Sequence, residues 1–147
     1  MIKNLTLFLL VTGSCFNFKI FAQDLEQFQL QPGFKIEVFA SDLDSPRQMA
    51  EGKNGTIFVG ERGGQIVALS DSDRNGQVDA KRVIAESLTY STGVSIFEGD
   101  LYFSEISKIW KIKNVESWLL KNHSGLPEKI LVADDLPDEK WHGWKWL

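Results

Sequence analysis

The chain has 147 residues, enough for one domain of ordinary size, and carries a formal net charge of −4 with a pI of about 5.2. Lys and Arg are scattered along it and form no cluster, which excludes a nucleic-acid groove and a polybasic membrane patch. Hydrophobic residues make up 43% and aromatics 12%, so a packed core is feasible, and glycines punctuating short apolar runs favour many strands over a few helices.

The first residues read as an export signal covering 1–22. Met1 to Asn4 supplies one positive charge, Leu5 to Phe16 is an apolar run too short to span a bilayer, and Ala22 offers a small residue at a cleavage point before Gln23. An uncleaved anchor or buried first strand is the structural alternative. Cys15 raises a lipoprotein alternative, because Val11-Thr-Gly-Ser-Cys15 loosely resembles a lipid-attachment box with Thr12 where a Leu-like residue is wanted. Cleavage after Ala22 removes Cys15, the one cysteine, and with it disulfides, thiolate catalysis and thiolate metal sites. The mature chain is then expected in the periplasm or outside the cell, without a transmembrane segment.

Residues 24–30 are a polar lead-in and Gln31-Pro-Gly33 a turn. Phe34-Lys-Ile-Glu-Val-Phe39 alternates apolar and polar residues at period two, which predicts a strand. A loop over 41–46 follows, then a short apolar strand at Gln48-Met-Ala50 and the turn Glu51-Gly-Lys-Asn-Gly55. Gly55 to Glu61 and Gln65 to Leu69 form one predicted hairpin; Gly99 to Glu105 and Lys108 to Ile112 form another. The two align, Ile57 on Leu101, Val59 on Phe103, Glu61 on Glu105, Ile66 on Ile109 and Leu69 on Ile112, and Gln48-Met-Ala50 aligns with Gly93-Val-Ser95. The period of about 44 residues is that of a four-stranded propeller blade. A single sheet of this kind cannot bury both faces, so such blades stack and share cores. The predicted fold is therefore an all-β propeller of four-stranded antiparallel blades, about two and a half of them present, over residues 23–147.

Between the hairpins, Asp71, Asp73, Asn75 and Asp79 place oxygen ligands at alternate positions around Gly76, like the first half of a calcium loop. Arg82 stands where the bidentate Glu of that motif belongs, so an Asx-rich surface turn is the competing reading. Residues 81–88 and 128–133 predict outer strands. Tyr90-Ser-Thr-Gly93 leads to the next inner strand, on the side that faces the channel of a propeller. Asn114 to Lys121 predicts a short helix capped by Asn114, with Trp118 and Leu119 as packing residues and His123 exposed. The closing segment, Trp141-His-Gly-Trp-Lys-Trp-Leu147, sets a histidine among tryptophans downstream of a carboxylate-rich loop. An imidazole so placed suits proton acceptance, and an inert blade-edge His is the bland alternative.

Taken in order, Gln31-Pro-Gly-Phe-Lys-Ile-Glu-Val-Phe-Ala40, Leu43-Asp-Ser-Pro-Arg-Gln-Met49, Asn54-Gly-Thr-Ile-Phe-Val-Gly-Glu-Arg62, the Asp71–Asp79 loop, Gly99-Asp-Leu-Tyr-Phe-Ser-Glu105, Asp134-Asp-Leu-Pro137 and His142-Gly-Trp-Lys145 resemble the glucose/sorbosone dehydrogenase family. These are soluble quinoprotein six-bladed propellers, and the likeness is strongest to the sorbosone dehydrogenase-like branch. The resemblance implies oxidation of a sugar-like alcohol or aldehyde, with pyrroloquinoline quinone (PQQ) accepting electrons in the central channel and an external electron acceptor. It implies His142 as general base, with Thr92 and Lys145 beside the cofactor. An amide often precedes the channel glycine in the family, and Ser91-Thr92 stands there instead. The family's quinone-clamping basic residues and its catalytic calcium ligands lie in later blades, so this chain is expected to be an N-terminal, inactive part. Two other classes stay open, a non-catalytic propeller binding a partner or glycan, and a metal-dependent lactonase using Glu61 or Glu105, whose matched places in the repeat look structural.

Overall fold

The two aligned hairpins each extend to a four-stranded antiparallel sheet of the same construction. The computed structural model describes residues 25–121, 123–140 and 144–147. The first sheet runs in the order β1 (Pro46–Glu51), β2 (Ile57–Glu61), β3 (Gln65–Ser70) and β4 (Ala80–Ala85). The second runs β5 (Val94–Phe97), β6 (Asp100–Ser104), β7 (Ile109–Ile112) and β8 (Ile130–Ala133), with one six-residue helix, α1 (Val115–Leu120), between its last two strands. The chain is all-β with the architecture of a partial propeller.

The register follows the sequence repeat. Ile57 pairs with Leu69 in the first sheet, and Leu101 pairs with Ile112 in the second. Met49 opposes Val59, and Val94 opposes Phe103. Strand alternation divides the apolar residues between two faces. Phe58, Ile66, Ala68 and Ile84 of the first sheet join Leu101, Phe103, Ile112 and Val115 in one buried cluster shared by both sheets. Phe58 and Phe103 are fully buried there, each contributing about 2–3 kcal/mol of hydrophobic stabilisation. On the opposite face of the first sheet, Val59, Val67 and Leu69 pack with Phe39, Leu43 and Val78. The innermost strands β1 and β5 lie side by side, as neighbouring blades require.

The matched glutamates have matched tasks. Glu61 Oε1 accepts the Asp44 N–H at 3.0 Å, two residues before β1 begins. Glu105 Oε2 accepts the Thr89 N–H at 2.9 Å, on the approach to β5, and its Oε1 accepts the Trp110 indole N–H at 2.7 Å. Each carboxylate at the end of a blade's second strand thus clasps the loop that enters its first strand. These are charge-assisted bonds to backbone amides, about twice as strong as neutral ones.

Residues up to Ile36 form a separate unit from Glu37–Leu147. In the first unit a 3-10 turn spans Leu25–Gln27, and the predicted turn at Gln31 is present, with the Phe34 N–H donating to Gln31 O at 3.1 Å. The strand expected over 34–39 is not formed. Phe34 is 75% exposed and Val38 50%, and no described strand pairs with this segment. Period-two alternation marks a chain able to lie on a sheet, but a strand exists only where a neighbour supplies backbone partners.

Two further expectations change in detail. The helix after β7 forms, yet Asn114 does not cap it through its side chain. Its backbone is left-handed, φ 45° and ψ 48°, a conformation Asn tolerates, and its N–H donates to Asp100 Oδ1 at 2.9 Å. Residues 144–147 carry no strand assignment although they pack on the second sheet. His123 is exposed as expected, and its ring stacks on Trp118 at 5.5 Å. The export segment 1–22 with Cys15, and Trp141, His142 and Gly143, lie outside the described residues.

Candidate functional site

The inner edge of the sheets is shaped by one bulge and two small residues. In β1 the register passes from Pro46↔Glu61 to Met49↔Val59, so Arg47 and Gln48 together oppose Gly60. A bulge of this kind re-aims side chains and is common beside functional sites. Gly60 admits the neighbouring blade, since a Cβ there would stand 2.6 Å from Thr92 O, and the Gln48 N–H donates to that same oxygen at 3.3 Å.

The contact repeats one blade on. Ser104, the repeat counterpart of Gly60, donates from Oγ to Lys145 O at 3.3 Å and accepts the Gly93 N–H at 3.1 Å. A Cβ on Gly93 would run into Lys145 O. Thr92 therefore stands to the first sheet as Lys145 stands to the second, and Arg47, two residues before Met49 as Thr92 is two before Val94, is their counterpart in β1. The three equivalent positions converge. Arg47, Gln48, Thr92, Trp144, Lys145 and Trp146 line a cavity of about 250 Å³. Gln48 Nε2 closes one side by donating to Leu147 O at 3.0 Å.

The chemistry of this cavity is cationic and incompletely satisfied. Thr92 is only 5% exposed, and neither its Oγ1 nor the neighbouring Ser91 Oγ has a hydrogen-bond partner among the described residues. Leaving such a hydroxyl buried and unpaired costs about 1–3 kcal/mol. The Arg47 guanidinium lies 5.0 Å from the Trp144 ring centroid and that of Arg62 5.5 Å, with Arg62 also 5.5 Å from the Tyr90 ring. Among the described residues, no carboxylate side chain lines the cavity. The Lys145 ammonium is turned onto Pro137 O at 3.2 Å, so its backbone, more than its charge, shapes the cavity wall.

Of the residues singled out in the sequence, Thr92 and Lys145 are brought together here. His142 lies outside the described residues, between Lys140 and Trp144. Asp71, Asp73 and Asp79 gather elsewhere, in the loop between β3 and β4, with one carboxylate oxygen of each within 4.8 Å of the others. The loop's own amides occupy many of these oxygens. Asp71 accepts from the Asn75 and Gly76 N–H groups at 3.1 and 2.8 Å, Asp79 from Ser72 N–H at 2.6 Å, and Asn75 Oδ1 from Gln77 N–H at 2.8 Å. Sequence reasoning missed Arg47 and Arg62 as site residues. Extending the aligned inner strands by one residue, from Gln48 on Gly93 to Arg47 on Thr92, would have found the first.

Fold and site together define a partial β-propeller in which β1, the residues that lead into β5 and the segment 144–147 line a shared cavity. The chain belongs to the family described as a domain of unknown function, DUF7133, which matches residues 21–116. An uncharacterized protein of Borreliella burgdorferi (strain ATCC 35210 / DSM 4680 / CIP 102532 / B31) is 28% identical over 109 residues, covering 71% of this chain and 27% of the relative. The chain thus spans about a quarter of the length of the curated relative it matches. Among solved structures, the holo form of the pyranose dehydrogenase PQQ domain from Coprinopsis cinerea is similar with a TM-score of 0.55 at 15% identity, over 71% of this chain and 24% of that one. The iodide structure of a Trichoderma reesei enzyme of Carbohydrate-Active Enzymes Family AA12 is similar with a TM-score of 0.52 at 17% identity, over 67% and 26%. At such identities the likeness shows the shared fold.

Proposed function

We propose that this chain is the N-terminal part, residues 23–147 behind a signal peptide over 1–22, of an exported PQQ-dependent sugar dehydrogenase of the sorbosone or glucose type. The observation that carries the reading is the cavity at the three equivalent positions Arg47, Thr92 and Lys145. Its guanidinium, its unpartnered Thr92 hydroxyl and its tryptophan faces fit a flat, polyanionic quinone in charge, hydrogen bonding and shape. The similarity of fold to a PQQ domain supports the same choice.

Arg47 and Thr92 would hold the cofactor's edge, with the Lys145 backbone as wall. Bound there, PQQ supplies a two-electron acceptor for a sugar alcohol or aldehyde hydrate. His142, one residue beyond Trp141, takes the proton that the substrate hydroxyl loses, and a base with that task needs a pKa near working pH and a fixed ring. The tryptophans next to it in sequence would keep water from the transfer. Calcium held by Asp71, Asp73, Asn75 and Asp79 would stiffen the β3–β4 turn and take no part in the chemistry. Periplasmic or secreted location goes with this reading, and no described helix is long and apolar enough to cross a membrane.

The test uses the protein as its gene encodes it, loaded with PQQ and calcium. Sugar-dependent dye reduction that requires PQQ and disappears in His142→Ala is the expected result. Absence of quinone-dependent reduction with any aldose, or full activity in His142→Ala, would overturn the assignment.

A further inference from the structure

Arg62 stands outside the cavity and yet meets two of the parts that shape it. It opens the turn Arg62-Gly63-Gly64 that joins β2 to β3, and that turn is pressed against the loop leading into β5. The Leu88 N–H donates to Gly64 O at 3.0 Å, and a Cβ on Gly64 would stand 2.5 Å from Leu88 O. From this seat the Arg62 guanidinium lies 5.5 Å from the Tyr90 ring centroid and 5.5 Å from that of Trp144. Trp144 lines the cavity, and Tyr90 stands just ahead of Ser91 and Thr92.

Both contacts bear on what the cavity presents. Tyr90 has φ 51°, in the left-handed region that side chains of its size rarely adopt and that persists only where neighbours hold it. Its conformation sets the course of Ser91 and Thr92, whose buried hydroxyls have no partner among the described residues. Main-chain groups anchor the loop on either side of it. Thr89 O accepts the Ile106 N–H at 3.1 Å, and Thr92 O accepts the Gln48 N–H. Trp144 is 39% exposed, so the surrounding core alone does not fix the plane of its indole. A cation over a ring face is attracted to it, and a planar guanidinium can meet two aromatic neighbours at once. Arg62 is itself exposed, so its removal withdraws little buried surface, and a task in orientation separates from one in stability.

We infer that Arg62 is a positioning residue of the proposed quinone cavity. Its guanidinium ties Trp144 to Tyr90, and so holds in one arrangement the aromatic wall and the loop that carries the Thr92 hydroxyl. Arg62 touches no cofactor itself. Its role rests on the quinone reading above and adds to it the group that orients the wall.

The protein as its gene encodes it is labelled with fluorotryptophan, and the Trp144 fluorine resonance is assigned by its disappearance in Trp144→Phe. PQQ affinity is measured by calorimetry and stability by urea unfolding. Without PQQ, Arg62→Gln is expected to shift and broaden the Trp144 resonance. It should weaken PQQ binding about tenfold, the size of two modest cation–π contacts, while the urea midpoint stays at the parent value. Arg62→Lys, which keeps a cation near the rings, should recover most of that affinity. An unchanged Trp144 resonance in Arg62→Gln overturns the inference. Weakened PQQ binding in Arg62→Lys together with a lowered urea midpoint assigns Arg62 to the scaffold and overturns it too. A parent protein that binds no PQQ overturns the quinone reading and the role of Arg62 together. Equal PQQ affinity in a binding-competent parent and in Arg62→Gln removes the role of Arg62 alone.

Discussion

Replacing Gly60 with alanine should open the seam between the two sheets. The added Cβ would stand 2.6 Å from Thr92 O and 2.9 Å from Thr92 C, both backbone atoms that no rotamer change can move away. Reaching ordinary contact at 3.4 Å from 2.6 Å requires an opening of about 0.8 Å. That displacement carries the bond from Gln48 N–H to Thr92 O, now 3.3 Å, beyond hydrogen-bonding range. Overpacking costs about 1–3 kcal/mol and the lost bond about 1, so we expect destabilisation of about 2–4 kcal/mol, a large share of a typical domain's stability. Urea unfolding gives the total, and amide exchange at Gln48 gives the location. The Gln48 amide should lose protection while Val59 and Val67 within the first sheet keep theirs. Gly55→Ala is the control. Gly55 has φ +87° and nothing near its Cβ position, so alanine there is strained by about 1–2 kcal/mol without touching the seam or the Gln48 amide. A Gly60→Ala protein within about 0.5 kcal/mol of the parent, with Gln48 protection intact, would refute the close-approach argument, since that is the spread of surface substitutions away from special features.

Three further tests address separate parts of the structure. Glu105→Ala should cost about 1–3 kcal/mol in urea unfolding by stranding the Thr89 and Trp110 N–H groups, whereas Glu105→Gln, keeping an acceptor oxygen, should cost less. The Asp100 carboxyl is held below its ordinary range by the Asn114 N–H, assisted by the Lys111 ammonium at 3.2 Å. A depressed carboxylate stabilises above its unfolded pKa of about 3.9 and stops doing so as pH falls through its folded value. Asp100→Asn should therefore be less stable than the parent at neutral pH, with the gap closing below about pH 4 in urea titrations. Calcium at about a hundred times its dissociation constant should stabilise by about 2.7 kcal/mol if the Asp71–Asp79 loop holds it, and an unchanged melting temperature in millimolar calcium, or an equal rise in Asp71→Asn, would remove metal from that loop.

Local patterns gave most of the fold and little of the site. The hairpins, the acidic turn and the blade period were legible because each rests on neighbours in sequence, such as apolar alternation along Ile57–Glu61 and glycine at Gly55 and Gly99. Phe34–Phe39 failed for the opposite reason, since its alternation speaks to strand capacity and not to whether a partner is present. Asn114 satisfies helix-start statistics while its left-handed backbone gives its amide to Asp100, a contact fourteen residues away. The repeat indicated that Glu61 and Glu105 are structural, and their backbone partners agree. Arg47 and Arg62 stayed hidden because one depends on a bulge and both on Trp144, which is far away in sequence.

Because Arg47, Thr92 and Lys145 occupy one register position in successive structural repeats, each can change without disturbing the ladder behind it. The backbone bonds at this seam use main-chain groups of Thr92 and Lys145, and their side chains take no part in those bonds. Such an arrangement separates heredity of scaffold from heredity of side chain. Duplicated blades can diverge at a single position apiece, changing the side chain there around an unchanged backbone wall.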